Sequence, residues 1–147
     1  MNLNLRKIMK EDIEFLFELV NDSSVRRNSF NSEKIGWNEH QKWFLSKILS
    51  SKTKMFILEK NKTPIGQIRF DLFKREWEVD YAIIEKFRGM GLGKKIIKMG
   101  IEKLDKSTCV VAKVKSINAP SNKIFKSLNF YISSSTKDYI IYKYIKI

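Results

Sequence analysis

An arginine and three closely spaced glycines, Arg88, Gly89, Gly91 and Gly93, could form a binding site for phosphate groups. Glycines let the backbone approach a ligand closely because they have no Cβ. A helical pattern begins directly after them, which would place N–H groups and the positive end of a helix dipole at the same point. The segment therefore predicts a cradle for an anion, and pyrophosphate is the anion we expect.

The spacing excludes two common phosphate-binding motifs. A P-loop requires G-x-x-x-x-G-K-[S/T], but Arg88 stands in place of its first glycine and Lys95 in place of its Ser or Thr. The dinucleotide fingerprint G-x-G-x-x-G would place its third glycine one residue after Gly93. The pattern that fits is R-x-x-G-x-G directly after a strand. The alternative to a binding site is a glycine-rich turn that only joins a strand to a helix.

Apolar residues alternate before the glycines, which predicts a strand over residues 76–84. Trp77 and Tyr81 would lie on one face of this strand, and Glu78 and Asp80 on the other. Two preceding strands with short turns predict an antiparallel meander. The predicted strands are residues 2–7, 54–60, 64–73, 76–84, 108–115 and 138–147, and the predicted helices are residues 11–20, a segment capped by Asn38 and Gln41, the segment after Gly93, and a short one within 118–130.

The composition indicates one globular domain. The chain has 147 residues, of which 43% are hydrophobic, and no apolar run is long enough to cross a membrane. The N-terminal residues lack the apolar core of a signal peptide, and the single cysteine suits a reducing compartment, so we expect a cytoplasmic protein. One His and one Cys cannot build a typical zinc site, and we expect no metal.

The formal net charge of +13 predicts attraction to anions. An RNA-binding module is therefore one alternative function. The lysines are spread along the chain rather than gathered in a basic tail, which disfavours nucleic acid as the partner. CoA and nucleotide-linked substrates are also polyanions, so the charge does not choose among these partners.

The segment 21–37 is polar and predicted to be irregular, with arginines and aromatic residues that could grip a substrate. In the helix after it, His40, Trp43 and Phe44 share one face. The plain interpretation is that Trp43 and Phe44 belong to the core and that His40 lies at its boundary. A single histidine beside a donor-rich loop is also a candidate ligand group.

The order of elements and two motifs resemble the GNAT family of N-acetyltransferases. The sequence VDYAIIEKFRGMGLG is similar to the strand and pyrophosphate loop of that family, and N-x-x-S before a helix ending in L-N-F is similar to its second CoA-contacting region. The resemblance implies a single domain, 1–147, with an α+β fold in three layers (α/β/α): a mixed, mostly antiparallel sheet of about seven strands and about four helices. Residues 1–75 would form the substrate side and 76–147 the acetyl-CoA side.

The resemblance also implies acetyl-CoA as the donor. In the family, the backbone after a bulge in the strand pairs with the pantetheine arm of CoA. The residues implied in binding acetyl-CoA are Tyr81, Ala82, Ile83, Arg88, Gly89, Met90, Gly91, Leu92, Gly93, Lys94, Asn118 and Ser121.

Two residues depart from the family pattern. Phe125 occupies the position of a tyrosine that often protonates the leaving CoA thiolate, and Lys113 aligns with a glutamate base of bacterial ribosomal-protein acetyltransferases. An acid could come from Tyr81, Tyr131 or Ser121. The thiolate could also leave unprotonated, since a thiol pKa of about 8.5 makes it a tolerable leaving group.

Acetyl transfer to an amine requires a neutral nucleophile and a polarised thioester carbonyl. The N–H of Ile83 or of a neighbour could polarise the carbonyl. Glu78 is the first candidate for the base, and Glu76, Asp80 and His40 follow. A solvated strand face, or pairing with Arg69, is the alternative for these carboxylates.

Residues 25–44 resemble the substrate-side segment of amino-sugar N-acetyltransferases such as those of the pseudaminic acid pathway. This resemblance implies a small and anionic acceptor, such as a nucleotide-linked amino sugar, attacked directly in a ternary complex. A protein or peptide N-acetyltransferase is the alternative enzyme, and a homodimer is one assembly that the sequence allows. The residues expected to contact the acceptor are Arg26, Asn28, Trp37, His40, Trp43 and Arg69.

Overall fold

A single seven-stranded sheet organises the computed structural model, which describes residues 2–147. The strand order is β1-β2-β3-β4-β5-β7-β6. This architecture confirms the predicted α+β fold. The strands are β1 (Leu3–Lys7), β2 (Thr53–Lys60), β3 (Thr63–Phe73), β4 (Glu76–Ile83), β5 (Cys109–Lys115), β6 (Tyr131–Ser135) and β7 (Tyr139–Ile145).

The strands β2, β3 and β4 form the predicted antiparallel meander. Asn61 and Lys62 turn the first hairpin with positive φ angles of 50° and 68°, as a two-residue hairpin turn requires. Residues 74–75 turn the second hairpin and set its register, which pairs Phe73 with Glu76 and continues to the pair Gly66 and Ile83. The carboxylates of β4 therefore lie beside the polar residues of β3.

Within residues 2–147, five α-helices cover the two faces of the sheet, where about four were expected. On one face, Leu16 of α1 and Phe44 of α3 pack against Met55 and Ile57 of β2. On the other face, α4 and α5 cover a larger core that contains Phe56, Ile68 and Phe70. The helices are α1 (Ile13–Val20), α2 (Ser23–Asn28), α3 (Trp37–Leu49), α4 (Leu92–Glu102) and α5 (Ala119–Ser127).

The additional helix lies where the sequence predicted irregular structure. Asp22 caps α2, and its side chain accepts hydrogen bonds from the N–H groups of Ser24 and Val25. This cap stabilises one and a half turns whose sequence, SSVRRN, carries no helical apolar period. The predicted cap of α3 at Asn38 was also wrong, because α3 begins two residues earlier, with Gly36 as its N-cap and no side-chain cap.

Within residues 2–147, no helix combines the length and the apolarity that crossing a bilayer demands.

Candidate active site

The strands β4 and β5 diverge and open a cleft in the middle of the sheet. They pair in parallel only from Glu76 to Glu78, opposite Cys109 to Val111. Beyond Glu78, β4 continues beside β3 alone, up to Ile83. The resulting gap, called here the interstrand cleft, has a volume of about 640 Å³.

The main chain of β4 faces the interstrand cleft at alternate residues. The Ile84 N–H donates to the Ile65 carbonyl at 2.9 Å, which sets the phase of the ladder between β3 and β4. Hydrogen-bonded positions alternate along an antiparallel pair. The main chain of Ala82 therefore faces β3, while the N–H groups of Tyr81 and Ile83 face the cleft. Either of these two N–H groups could bind a carbonyl oxygen in the cleft.

The glycine loop closes one end of the interstrand cleft. Gly89 and Gly91 have φ angles of 76° and 75°, a left-handed conformation that side chains disfavour, and Gly91 is the N-cap of α4. Gly93 has a different role, since a Cβ there would lie 3.0 Å from Ile124 Cδ1 and 3.2 Å from Tyr81 Cε2. Gly91 thus shapes the loop, and Gly93 lets Tyr81 pack against the first turn of α4.

Ten of the twelve residues predicted to bind acetyl-CoA line the interstrand cleft. Met90 of the loop and Lys94 of α4 do not line it, and both are exposed. The ten that line it are Tyr81, Ala82, Ile83, Arg88, Gly89, Gly91, Leu92, Gly93, Asn118 and Ser121.

Arg88 ties the glycine loop to α2. Its Nε donates to the Ile83 carbonyl at 2.9 Å, and its Nη2 donates to Asp22 Oδ1 at 3.0 Å. Burial alone would raise the pKa of Asp22, but hydrogen bonds from Val25, Arg88 and Ser24 hold that pKa below its usual value. The Arg88 guanidinium thus has partners within the protein, so anion binding at this loop would depend mainly on the N–H groups of its backbone.

Tyr81 presents its hydroxyl beside the start of α5. The hydroxyl oxygen lies 2.5 Å from Ser121 Oγ, and Asn118 Oδ1 accepts from the Ser121 N–H at 3.3 Å. Burial raises the pKa of Tyr81, with the Ser121 hydrogen bond acting in the opposite direction, so the phenol keeps its proton at neutral pH. Its ring packs edge-on against Phe125, with the centroids 6.1 Å apart. A phenolic proton is therefore available next to Phe125, which cannot supply one.

A second and more polar cavity of about 350 Å³, called here the polar cavity, lies on the opposite face of β4. It contains both carboxylates and cations from several elements. Its charged lining residues are Arg26, Glu39, Arg69, Asp71, Glu78, Asp80 and Lys113.

The floor of the polar cavity is a chain of ion pairs across β3 and β4. Arg69 Nε donates to Asp71 Oδ2 at 2.7 Å, and Arg69 Nη1 lies 3.5 Å from Asp80 Oδ2. Burial alone would lower the pKa of Arg69, but Asp80 and Asp71 raise it. Burial alone would raise the pKa of Asp71, but Arg69 and Lys47 lower it. The Arg69 guanidinium also stacks over Trp43, at 5.1 Å from the ring centroid.

Arg26 is bound to the protein's own backbone. Its guanidinium donates to the carbonyls of Val20 at 2.7 Å, Asn31 at 2.9 Å and Glu33 at 3.2 Å, and to Ser29 Oγ at 3.2 Å. These bonds fasten the segment between α2 and α3 over the polar cavity. These contacts make Arg26 a residue that positions the wall of the polar cavity formed by this segment.

His40 lies in the wall of the polar cavity and is only 1% exposed. Its Nε2 lies 2.9 Å from the Ile13 carbonyl, so this nitrogen carries the proton and Nδ1 carries the lone pair. Burial lowers the pKa of His40, which keeps the ring neutral at neutral pH. The ring stacks on Trp43, whereas Trp37 lies outside the lining of both cavities and packs edge-on against Phe17.

The two cavities meet where β4 leaves β5. Asp80, Ala82 and Lys113 line both of them, as do Asn28 and Ser29 from the segment above. Successive side chains of a strand point to opposite faces, so Asp80 and the Tyr81 phenol flank this junction from opposite sides. A group bound in the cleft and a nucleophile in the polar cavity would thus lie between a carboxylate and a phenol.

The protein-family model of the acetyltransferase (GNAT) domain matches residues 2–131 of the sequence. The match spans most of the chain. This chain belongs to the GNAT family of acetyltransferases. It is therefore an enzyme that transfers acyl groups. No curated protein sequence matches it.

Solved GNAT structures share the fold at low sequence identity. Spermidine N-acetyltransferase from Vibrio cholerae, in complex with CoA and spermine, has a TM-score of 0.86 and 16% identity, over 98% of this chain and 95% of that one. The Salmonella typhimurium protein yncA, with acetyl-CoA, has a TM-score of 0.81 and 19% identity, over 99% and 94%. A ribosomal L7/L12 α-N-protein acetyltransferase in complex with CoA has a TM-score of 0.82 and 18% identity, over 99% of this chain and 95% of that one.

One structural expectation from the GNAT resemblance is wrong for this chain. The pairing between β3 and β4 runs from Gly66 and Ile83 to Phe73 and Glu76 without a shift in register, so β4 has no bulge against β3. The cleft opens here because β4 and β5 splay apart. Glu76 lines neither the interstrand cleft nor the polar cavity, and its carboxylate binds Lys143 Nζ at 2.7 Å.

Lys113, noted from the sequence only as a departure from the family pattern, lines both cavities with its ammonium over the rings of Phe30 and Tyr139, at 4.3 and 4.5 Å. Gln67 and Asp71 of β3 were not singled out from the sequence as site residues, and both line the polar cavity. The alternation of β3 does place Gln67, Arg69 and Asp71 on one face. That alternation, with the register of the tight turn at residues 74–75, was the signal that could have found them.

Proposed function

We propose that this chain transfers the acetyl group of acetyl-CoA to the primary amine of a small molecule, by direct attack in a ternary complex. Acetyl-CoA would occupy the interstrand cleft, with its diphosphate at the N–H groups of residues 89–93. The amine would enter from the polar cavity. The observation that carries this proposal is the junction of the two cavities at Asp80, Ala82 and Lys113.

The residues around the junction supply each part of the reaction. The N–H of Ile83 or Tyr81 would hold the thioester oxygen as negative charge develops on it. Asp80 would take a proton from the attacking amine, because it lines both cavities whereas Glu78 lines only the polar cavity. The Tyr81 phenol would protonate the leaving thiolate from the opposite face. The positive charge of Lys113 would stabilise negative charge on the sulfur as the C–S bond breaks.

The charges of the polar cavity favour an acceptor that is neutral or cationic away from the reacting amine. Glu39 and Glu78 take part in none of the ion pairs among residues 2–147, whereas Arg69 is paired with two aspartates and Arg26 with backbone carbonyls. A phosphate entering the cavity would meet two guanidinium groups that already have partners, and Lys113, which takes part in none of the ion pairs of residues 2–147. A small aliphatic amine or a free amino sugar therefore fits better than a nucleotide-linked sugar.

Related proteins support an amine acceptor without choosing one. The Vibrio cholerae structure holds spermine, and another relative is a ribosomal-protein α-N-acetyltransferase. The nucleotide-linked amino sugar remains a prediction based on the sequence resemblance alone. A cytoplasmic location of the protein and its assembly as a homodimer likewise remain predictions.

An acceptor panel tests the proposal. Release of the CoA thiol would be followed with acetyl-CoA and, in turn, a polyamine, a free amino sugar, a nucleotide-linked amino sugar and a basic peptide. We expect the highest kcat/KM with one of the first two. A preference for the peptide would favour the protein acetyltransferase. Absence of transfer to every amine, with salt-dependent RNA binding, would favour the RNA-binding module.

A further inference from the structure

Gln67 lies beneath the junction of the two cavities and has no role in the mechanism described above. It pairs with Ala82 across β3 and β4, at the level where β4 has already left β5. Its side chain lines the polar cavity, and the residue is only 2% exposed. An uncharged polar side chain is thus buried next to the point where the amine and the thioester would meet.

One neighbour determines the orientation of the Gln67 amide. Nε2 donates to Asp80 Oδ2 at 3.0 Å. A flipped amide would place its oxygen against this carboxylate, which only accepts hydrogen bonds when it is ionised. The orientation therefore leaves Oε1 as the end without a partner. Within residues 2–147, Oε1 is the one buried side-chain nitrogen or oxygen that has no hydrogen bond.

A buried acceptor without a partner destabilises a protein, because folding removes it from water without giving it a donor. Gln67 Oε1 is such an acceptor, and its residue lines a cavity that a substrate is proposed to fill. A group that enters the cavity could supply this donor. The attacking amine is the one reacting group that is obliged to carry N–H bonds.

We propose that Gln67 Oε1 accepts a hydrogen bond from the N–H of the attacking primary amine; this inference rests on the proposed function. During the reaction the amine nitrogen bonds to the acetyl carbon and the C–S bond breaks. One amine proton goes to Asp80, and the sulfur takes the phenolic proton of Tyr81. The second N–H stays on the nitrogen and remains bound to Gln67 in the amide product.

The hydrogen bond makes Gln67 a specificity-determining residue. The nitrogen of a primary amine carries two hydrogens when neutral, one for Asp80 and one for Gln67. A secondary amine or a hydroxyl carries only one, so its reaction would leave either Gln67 or Asp80 without a partner. The enzyme should therefore prefer primary amines to their N-methyl analogues.

The test compares Gln67→Met with the wild type on the best amine of the panel and on its N-methyl analogue. We expect kcat/KM for the primary amine to fall about tenfold, as for the loss of one hydrogen bond, while the N-methyl analogue loses much less. The KM for acetyl-CoA should stay unchanged. The Tm should fall much less than in the control described next, because the loss of an unpaired buried oxygen offsets the loss of the hydrogen bond to Asp80, whose carboxylate is half exposed.

Asn122→Met is the matched control for stability. Asn122 is also a buried amide, but it is fully bonded: its Nδ2 donates to the carbonyls of Lys115 and Asn118, and its Oδ1 accepts from the Tyr142 hydroxyl. Its loss should lower the Tm clearly.

An unchanged preference for the primary amine in Gln67→Met would overturn this inference alone. A Tm loss in Gln67→Met as large as that of the control, or failure to fold, would overturn it too, since Gln67 would then be structural. A wild type that acetylates no amine would instead overturn the proposed function.

Discussion

Tyr81→Phe should lower kcat about 100-fold and leave the KM for acetyl-CoA nearly unchanged. General acids contribute roughly 10²- to 10⁴-fold, and we expect the lower end because a thiolate is already a tolerable leaving group. The phenol lies on the face of β4 opposite Asp80, beside Phe125, where it could protonate the departing sulfur. Steady-state kinetics with saturating amine measures the effect.

The pH dependence of the Tyr81→Phe effect gives a second measurement. Burial raises the pKa of Tyr81 above its ordinary value of 10.0, so the phenol is protonated across the range from neutral pH to about pH 9. The ratio of wild-type to variant kcat should therefore be constant over this range. The decline in wild-type kcat that reflects ionisation of Tyr81 should appear only at higher pH, where the phenol loses its proton.

Ser121→Ala is the matched control for Tyr81→Phe. It breaks the same 2.5 Å hydrogen bond but leaves the phenol in place, so we expect a loss of only a few-fold. Equal losses in the two variants would mean that the hydrogen bond positions the site and that Tyr81 is not the acid. A Tyr81→Phe variant with nearly wild-type kcat would mean that the thiolate leaves unprotonated.

Asp80→Asn should also lower kcat about 100-fold, whereas Glu78→Gln should cost only a few-fold. A carboxamide cannot accept the amine proton, and the loss of a general base has this magnitude. Asp80 lines both cavities, and Gln67 holds its carboxylate at 3.0 Å, whereas Glu78 lines the polar cavity alone. The two variants remove the same charge from the same face of β4, so each is the control for the other.

A rescue at high pH would identify the missing base. An alkylamine has a pKa of about 10.4, so raising the pH lets solvent deprotonate the acceptor without Asp80. The ratio of Asp80→Asn to wild-type activity should therefore rise between pH 7 and 10. A larger loss in Glu78→Gln than in Asp80→Asn would instead assign the base to Glu78, which was the first candidate from the sequence.

The interstrand cleft was largely predictable from the sequence. Its signals are local: alternation along residues 76–83, positive-φ glycines directly after it, and an N-cap motif at Asn118. Such signals arise from neighbours along the chain. The same holds for the register of β3 on β4, which follows by counting residues from the two-residue turn at residues 74–75.

The polar cavity was less predictable, because its groups are positioned by tertiary contacts. Arg26 reads from the sequence as a substrate ligand, yet its guanidinium binds three backbone carbonyls that only the folded segment brings together. His40 reads as a candidate base, and its burial and its bond to the Ile13 carbonyl follow from the packing of α1 on α3. The partner of Gln67 is likewise fixed across strands.

The most direct measurement is a crystal structure of the protein with acetyl-CoA. We predict that the diphosphate will contact the N–H groups of residues 89–93 and that the acetyl carbonyl will lie at the N–H of Ile83 or Tyr81, facing Asp80 across the junction. A structure with the interstrand cleft vacant or occupied by the protein itself, and the thioester bound elsewhere, would contradict the proposed mechanism.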